Sequence, residues 1–333
     1  MAVGRIGAIA LLILIPLFST SCLGPTVALH SSAVEFVELS PVELDPRNPG
    51  RKRFGALILL SAFQLESGDK RFGGLSGLSV SRDGTMYFVS DNGYWVSAKM
   101  NADRNGALVN LTNWKIAPIL GLDNKPVTGS LRDAEALAYL RDGSFLVGFE
   151  GEHRIWRYRP PPETFESTPV ALAVPADLER APTNGGIEGL TELPDGRLFA
   201  LTEEFQNPDG SFKGWIIDAN DFTEVTYLPA EGYRVTDAAA LDTGDVLVLE
   251  RRYRPLGIFS VRVVLVKSES IGRGARIAGR ELLRLEAPLG VDNFEGIALQ
   301  PHPNGTSIFI VSDDNYNPFE ATLLYQFLLP ANQ

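Results

Sequence analysis

The sequence predicts an all-β chain folded as a β-propeller of four-stranded antiparallel blades, and three observations carry that prediction. A short phrase recurs five times: an acid or small polar residue, then Gly or Ala, an apolar run, a turn usually written Asp-Gly, a second apolar run and another acid. A period of 50 to 60 residues means stacked copies of one supersecondary unit. The 33 to 44 residues between copies leave room for two further strands each, and four-stranded sheets repeated radially make a propeller. Finally, the last copy is followed by one clear strand, residues 322–328, while an unclaimed strand at 54–65 precedes the first copy. The N- and C-terminal strands are therefore expected to close the ring within one sheet.

The copies run from Ser76 to Asp91, Glu135 to Glu150, Glu188 to Glu203, Asp237 to Glu250 and Glu295 to Asp313. In the third, Glu188 and Glu203 are equidistant from Asp195-Gly196. Asp-Gly between apolar runs signals a tight hairpin of type I′, so arms of equal length place Glu188 opposite Glu203 at the open end. The same geometry follows for Ser76 and Asp91 about Asp83-Gly84, and for Glu135 and Glu150 about Asp142-Gly143. Polar ends then lie at one edge of the ring and turns at the other. The outer strands are expected at 94–100 and 108–119, 154–159 and 169–174, 214–218 and 223–227, and 258–267 and 280–285. Direct counting gives five blades. The long remainder from the last copy round to the first leaves room for a sixth, degenerate blade using residues 34–44.

The 333 residues bury ample core for one domain of this kind, at 54–330, behind an N-terminal extension at 22–53. Residues 1–21 are expected to be a targeting segment. Arg5 is followed by a 13-residue apolar stretch at 6–18, too short to span a bilayer comfortably and suited to a signal peptide. Ser19-Thr20-Ser21-Cys22 then resembles a bacterial lipobox, with Ser19 where Leu is usual. Cys22 is the expected site of lipidation; ordinary cleavage nearby and an uncleaved anchor are the other readings. On each of them the chain is exported to the periplasm or cell envelope. As the single cysteine, Cys22 excludes an intramolecular disulfide and a cysteine metal site. The net charge is −11, and the leader carries one Arg and no acid, so the remainder is more acidic still. Such a balance argues against nucleic acid as a partner, which selects for basic patches, and is compatible with cation binding.

The hairpin-end acids Asp91, Glu135, Glu150, Glu188, Glu203, Asp237, Glu250, Glu295 and Asp313 are expected to converge on one face, with Asp133, Glu204, Asp292 and Asp314 beside them. Crowded carboxylates repel unless raised pKa values, arginines or a cation compensate. Oxygen-only ligands suit Ca²⁺ or Mg²⁺ rather than zinc. The competing reading pairs the acids with backbone N–H groups or with Arg71, Arg132, Arg251, Arg252 and Arg254. Arginine forks also bind phosphate bidentately, so acids and arginines together can form a metal-and-phosphate site. Nucleophilic catalysis has little support: there is no Gly-x-Ser-x-Gly elbow, and His302 is expected at a hairpin turn on the opposite edge from the acids. No P-loop or dinucleotide fingerprint is present.

Taken together, Phe72-Gly73-Gly74-Leu75-Ser76-Gly77-Leu78, Ser90-Asp91-Asn92-Gly93, Asp133-Ala134-Glu135-Ala136, Asn184-Gly185-Gly186-Ile187-Glu188-Gly189-Leu190, Leu249-Glu250-Arg251, Asp292-Asn293-Phe294-Glu295-Gly296-Ile297 and Ser312-Asp313-Asp314-Asn315-Tyr316 resemble the bacterial phytase-like propeller family described as "esterase-like activity of phytase". The resemblance implies an exported propeller, hydrolysis of phosphoesters or esters, and Ca²⁺ as cofactor. On that reading Asp91, Glu135, Glu150, Glu188, Glu203, Glu295 and Asp313 are metal ligands. Glu188 and Glu295 also serve as catalytic groups, and Arg251 and Arg252 stabilise developing negative charge. The substrate is a small phosphoester or ester, and the membrane is met through a lipid on Cys22. The alternative is a non-catalytic propeller that binds a ligand or an envelope protein and uses its acids structurally.

Overall fold

The structure is a computed structural model that describes residues 32–33, 37–255 and 258–331. Five antiparallel sheets are arranged in a ring, so the fold is a five-bladed β-propeller. The innermost strands are Leu75–Val80, Ala134–Tyr139, Ile187–Glu192, Arg234–Ala240 and Phe294–His302, and each packs against the innermost strand of the next blade round the circle. Five separate apolar clusters fill the five interfaces between adjacent blades. One of them joins blades 1 and 2 through Trp95, Phe145 and Tyr158, all but fully buried.

The Gly or Ala of the repeated phrase has a packing cause. A Cβ added at Gly77 would stand 2.8 Å from Leu137 Cβ and 2.9 Å from Leu137 N, on the inner strand of the next blade. Gly296 meets Leu78 in the same way, at 2.8 Å from its Cβ and 3.0 Å from its backbone nitrogen. At Gly77 and Gly296 the inner strands thus converge at spacings that only the smallest residues allow.

Ring closure follows the expected topology. Leu323–Pro330 pairs antiparallel with Leu57–Ser67, with Leu323 opposite Gln64 and Leu328 opposite Ile58. There is no sixth blade among the described residues. Val37–Pro41, within the segment considered for one, instead adds an edge strand to Leu57–Ser67 in blade 5, Leu39 lying opposite Leu65. All four outer strand pairs form near their expected places, although the segment expected at 169–174 is ordered as strand only at Val170–Ala171.

The hairpin turns differ from expectation. Gly196 N–H donates to Leu193 O at 2.9 Å and Leu193 N–H to Arg197 O at 2.7 Å. Gly196 has φ +89°, while Asp195 is not among the residues of positive φ. The turn is therefore type I closed by a left-handed glycine, not type I′. Aspartate is used for its side chain: Asp83, Asp142 and Asp195 accept the N–H two residues on, at 3.2, 3.0 and 3.1 Å. The extra loop residue shifts the strand register by one, and a second irregularity at the open end shifts it by one more in the same direction.

Candidate metal and anion site

That second irregularity builds the site. In every blade the ladder skips one residue of the inner strand near its start: pairing jumps from Leu75 to Gly77, Ala134 to Ala136, Ile187 to Gly189, Val235 to Asp237 and Phe294 to Gly296. The skipped residues are Ser76, Glu135, Glu188, Thr236 and Glu295. A β-bulge re-aims the side chain it carries, and these five lie at corresponding places round the ring. The residue that follows the partner of the last inner-strand position before the bulge gives a second set: Asp91, Glu150, Glu203, Arg251 and Asp313. Four members of this set are tied by their N–H to the carbonyl two residues before the bulge, with Asp91 on Gly74 (3.0 Å), Glu150 on Asp133 (2.9 Å), Glu203 on Gly186 (3.0 Å) and Asp313 on Asn293 (2.9 Å).

The fourth copy of the phrase is thereby realigned. Asp237 occupies the glycine slot, not the bulge. It is fully buried, and its carboxylate accepts the N–H of Ala238 at 2.7 Å and that of Ile297, on the neighbouring blade, at 2.7 Å. Glu250 lies inside blade 4, accepting from Tyr227 OH at 2.7 Å and Arg262 at 2.8 Å. In their places the ring receives Thr236 and Arg251. The signal was available in sequence, because Thr236-Asp237 and Glu250-Arg251 fit the repeat as well when shifted by one residue.

Seven predicted ligands, Asp91, Glu135, Glu150, Glu188, Glu203, Glu295 and Asp313, thus share this ring. Arg251 sits among them. It donates to Glu203 at 2.9 Å and also to Glu295 and Asn293, while Asn293 donates to Glu295 at 2.9 Å. Arg252 is not brought to the ring: its guanidinium lies over the Tyr233 ring at 4.6 Å, with Glu286 3.9 Å away on the outer strand.

Among the described residues, no cation is bonded to the carboxylates on the far side of the ring. Asp133, Glu135 and Glu150 bring carboxylate oxygens within 4.8 Å of one another. That separation is about twice a Ca²⁺–oxygen distance, so three oxygens can surround one hard cation. Asp133, a neighbour rather than a predicted ligand, enters because the bulge at Glu135 lets residues 133 and 135 reach the same point. Glu150 also accepts Gly186 N–H at 2.6 Å. Glu188 is only 8% exposed and has no hydrogen bond or ion pair among the described residues, although it faces Glu203, Glu150, Glu135 and Arg251 electrostatically.

Burial is the main cause of strongly shifted acidities here. It pushes Asp91 up to about 6, with Glu295 and Asp133 adding to the effect. Glu150 is pushed up to about 8 by burial, then by Glu203 and Asp133, against the Gly186 N–H. Burial followed by neighbouring carboxylates holds Glu135, Glu188 and Asp313 well above the usual range. Burial also raises Glu295, which Arg251 partly offsets. Carboxyls in such surroundings retain protons or take up a cation. The cavity of about 490 Å³ between blades 2 and 3 is lined by Leu140, Arg157 and Gly196 toward the hairpin turns, away from this chemistry.

Among solved structures, the chain is similar to a hypothetical protein from Leishmania major, at 11% identity and TM-score 0.45, covering 87% of this chain and 95% of that one. It is also similar to a PQQ-bound aldose sugar dehydrogenase from Streptomyces coelicolor, at 12% identity and TM-score 0.43, covering 89% and 100%. Virginiamycin B lyase from Staphylococcus aureus gives 11% identity and TM-score 0.42, covering 88% and 100%. Likeness at this level carries nothing about activity. Comparison with curated proteins finds no significant match. The model of one family matches residues 70–316, most of the ring and every residue of both sets described above, and the chain belongs to that phytase-like family, described as "esterase-like activity of phytase".

Proposed function

We propose that the protein is a Ca²⁺-dependent hydrolase of phosphoester or ester bonds, exported and held at the envelope by a lipid on Cys22. The observation that carries the catalytic reading is the unbalanced half of the ring, where Asp133, Glu135 and Glu150 converge with no cation bonded to them among the described residues. A hard divalent ion there would supply the positive charge that offsets these carboxylates and could polarise an ester or phosphoryl oxygen. The residues around it have separate tasks. Asp133, Glu135 and Glu150 would hold the ion, with Asp91 beside them. Glu188, nearly buried and without a hydrogen-bond partner, carries the proton exchanged with the reacting oxygen. Arg251, committed to Glu203 and Glu295, fixes the opposite wall instead of meeting substrate. The test is metal analysis of purified protein, then a panel of p-nitrophenyl phosphates and esters with and without chelator. Turnover lost on chelation and restored by Ca²⁺ supports the reading; no turnover on any member, with no metal found, leaves the non-catalytic binding propeller in its place.

Cys22 lies outside the described residues. Lipidation there predicts that Cys22→Ser releases the protein from the membrane fraction and blocks maturation, and unchanged partitioning would remove the anchor.

A further inference from the structure

We infer that Tyr316, with Asp91 and Asp314, forms a receptor for an organic ammonium group, so that the molecule taken up by this site carries a positively charged nitrogen. The inference rests on the hydrolase reading above and deepens it by naming what the substrate presents. Tyr316 stands in the loop between Gly305–Ser312 and Leu323–Pro330 and lies over the Gly73-Gly74 backbone of blade 1. A Cβ added at Gly74 would stand 2.1 Å from Asp91 Oδ1 and 2.6 Å from Tyr316 Cε2. One added at Gly73 would stand 3.0 Å from Asp314 Oδ1 and 3.1 Å from Tyr316 Cε1. Two carboxylates therefore flank opposite edges of one aromatic ring.

The polar atoms of Tyr316 are already engaged. Its hydroxyl donates to Gly73 O at 3.0 Å and lies 3.1 Å from Ser90 Oγ, and its N–H donates to Asp314 Oδ1 at 3.0 Å. The residue is nevertheless 39% exposed, so what it offers to solvent is its ring. Asn315 and Tyr316 both hold left-handed φ, +47° and +50°, a strain that persists only where surrounding bonds over-determine it. Those bonds centre on Asp314, which also accepts Gly74 N–H at 3.0 Å and the Thr322 hydroxyl at 2.9 Å, so the ring is presented at a fixed place. Elsewhere the chain supplies its own cations to such a face: the guanidinium groups of Arg252, Arg262 and Arg284 stand 4.6, 5.1 and 5.7 Å from the centre of the Tyr233 ring. Tyr316 has no Lys or Arg over it among the described residues, although the charges of Asp91 and Asp314 act on it. The same acidic face keeps Glu188, only 8% exposed, without a hydrogen bond or ion pair among the described residues. An aromatic face edged by carboxylates attracts an ammonium through the ring quadrupole and through charge, and quaternary ammonium groups are what such faces recognise best. A net charge of −11 favours the approach of that cation over an anion.

The probe is tetramethylammonium, titrated calorimetrically into the protein in Ca²⁺-containing buffer. Tyr316→Leu should weaken its binding about two- to thirty-fold, the range of a cation–π contact, while Tyr316→Phe should retain it. Asp314→Asn keeps an acceptor for Gly74 and Tyr316 but loses the charge; it should weaken binding too, which guards against a loop disturbed by Tyr316→Leu. Turnover gives a second readout. Acetylcholine should be preferred to its uncharged isostere 3,3-dimethylbutyl acetate, and Tyr316→Leu should remove that preference through KM with kcat unchanged. A wild type that ignores tetramethylammonium, or equal affinity in wild type, Tyr316→Leu and Asp314→Asn, overturns the inference. If tetramethylammonium binds through Tyr316 while no ester or phosphoester is turned over, the ammonium site stands and the hydrolase reading falls.

Discussion

The two halves of the acidic ring hold similar carboxylates in similar burial and resolve their repulsion differently. Across blades 3 to 5, Glu203 and Glu295 share the guanidinium of Arg251, a cation the chain supplies itself, with Asn293 completing the hydrogen bonding. Across blades 1 and 2, Asp91, Asp133, Glu135 and Glu150 have no bonded cation between them among the described residues, and the oxygens of Asp133, Glu135 and Glu150 crowd within a metal's span. The pseudo-symmetry of the blades makes the comparison close, because Arg251 stands where the other four blades carry Asp91, Glu150, Glu203 and Asp313. One substitution within an otherwise repeated frame therefore separates a self-neutralised wall from a site that requires something from outside.

The sharpest way to break this contrast is to remove the internal cation. Arg251→Met leaves buried carboxylates without a partner, and breaking a buried pair from one side costs about 3–5 kcal/mol. Urea denaturation of the metal-free protein at neutral pH measures it, and a loss below about 1 kcal/mol would mean that Glu203 and Glu295 do not depend on Arg251.

A smaller effect is expected from supplying the external cation. Ca²⁺ at one hundred times its Kd should stabilise the wild type by about 2.7 kcal/mol. Glu150→Gln should abolish that response and stabilise the metal-free protein above about pH 8, where the wild-type carboxylate is charged. The same acids give a pH dependence of known sign. Their pKa values are raised in the folded state, from 4.5 to about 8 for Glu150 and from 3.8 to about 6 for Asp91. The folded protein therefore binds more protons than the unfolded chain across those windows. The stabilisation is complete below pH 4 and is lost as pH rises toward 8, by at most about 1.4 kcal/mol per pH unit for each proton. Melting curves between pH 4 and 8 should show this decline without metal and a flatter profile with Ca²⁺. A metal-free stability that rises over this range would contradict the assignment of these carboxyls.

The fold was legible because its cause is local and repeated: Asp-Gly turns, apolar arms and the small residue that close approach of inner strands demands are written into each copy. The membership of the ring was less legible, for a physical reason. A bulge is a shift of one residue, and its side chains reverse face with it. Equal-armed hairpins set Glu188 opposite Glu203, whereas the bulge takes Glu188 out of the ladder and leaves Ile187 opposite Thr202. In blade 4 the same shift exchanged Asp237 and Glu250 for Thr236 and Arg251. Arg252, adjacent to Arg251 in sequence, falls on the other face of its strand for the same alternation. The involvement of Asp133 depends on three-dimensional convergence that no spacing rule states.

The seam that closes the ring also governs how the chain can reach it. Ser61 donates to Gln326 across 265 residues of sequence, and Gln326 also accepts from Leu108 N–H in blade 1, so the last strand laid down stitches together segments made first. By loop-closure entropy such a contact costs about 5 kcal/mol before any packing repays it, against about 2.4 kcal/mol for a 15-residue hairpin. Four blades can form from neighbouring sequence as it emerges, whereas the fifth must wait for the final strand. The N-terminal strand Leu57–Ser67 spends that interval unpaired on one side, its apolar residues Leu57, Leu59, Phe63 and Leu65 open to other partners. Closure of the ring thus waits on Leu323–Pro330, and loss of even a few residues from that strand leaves Leu57–Ser67 unpaired as well.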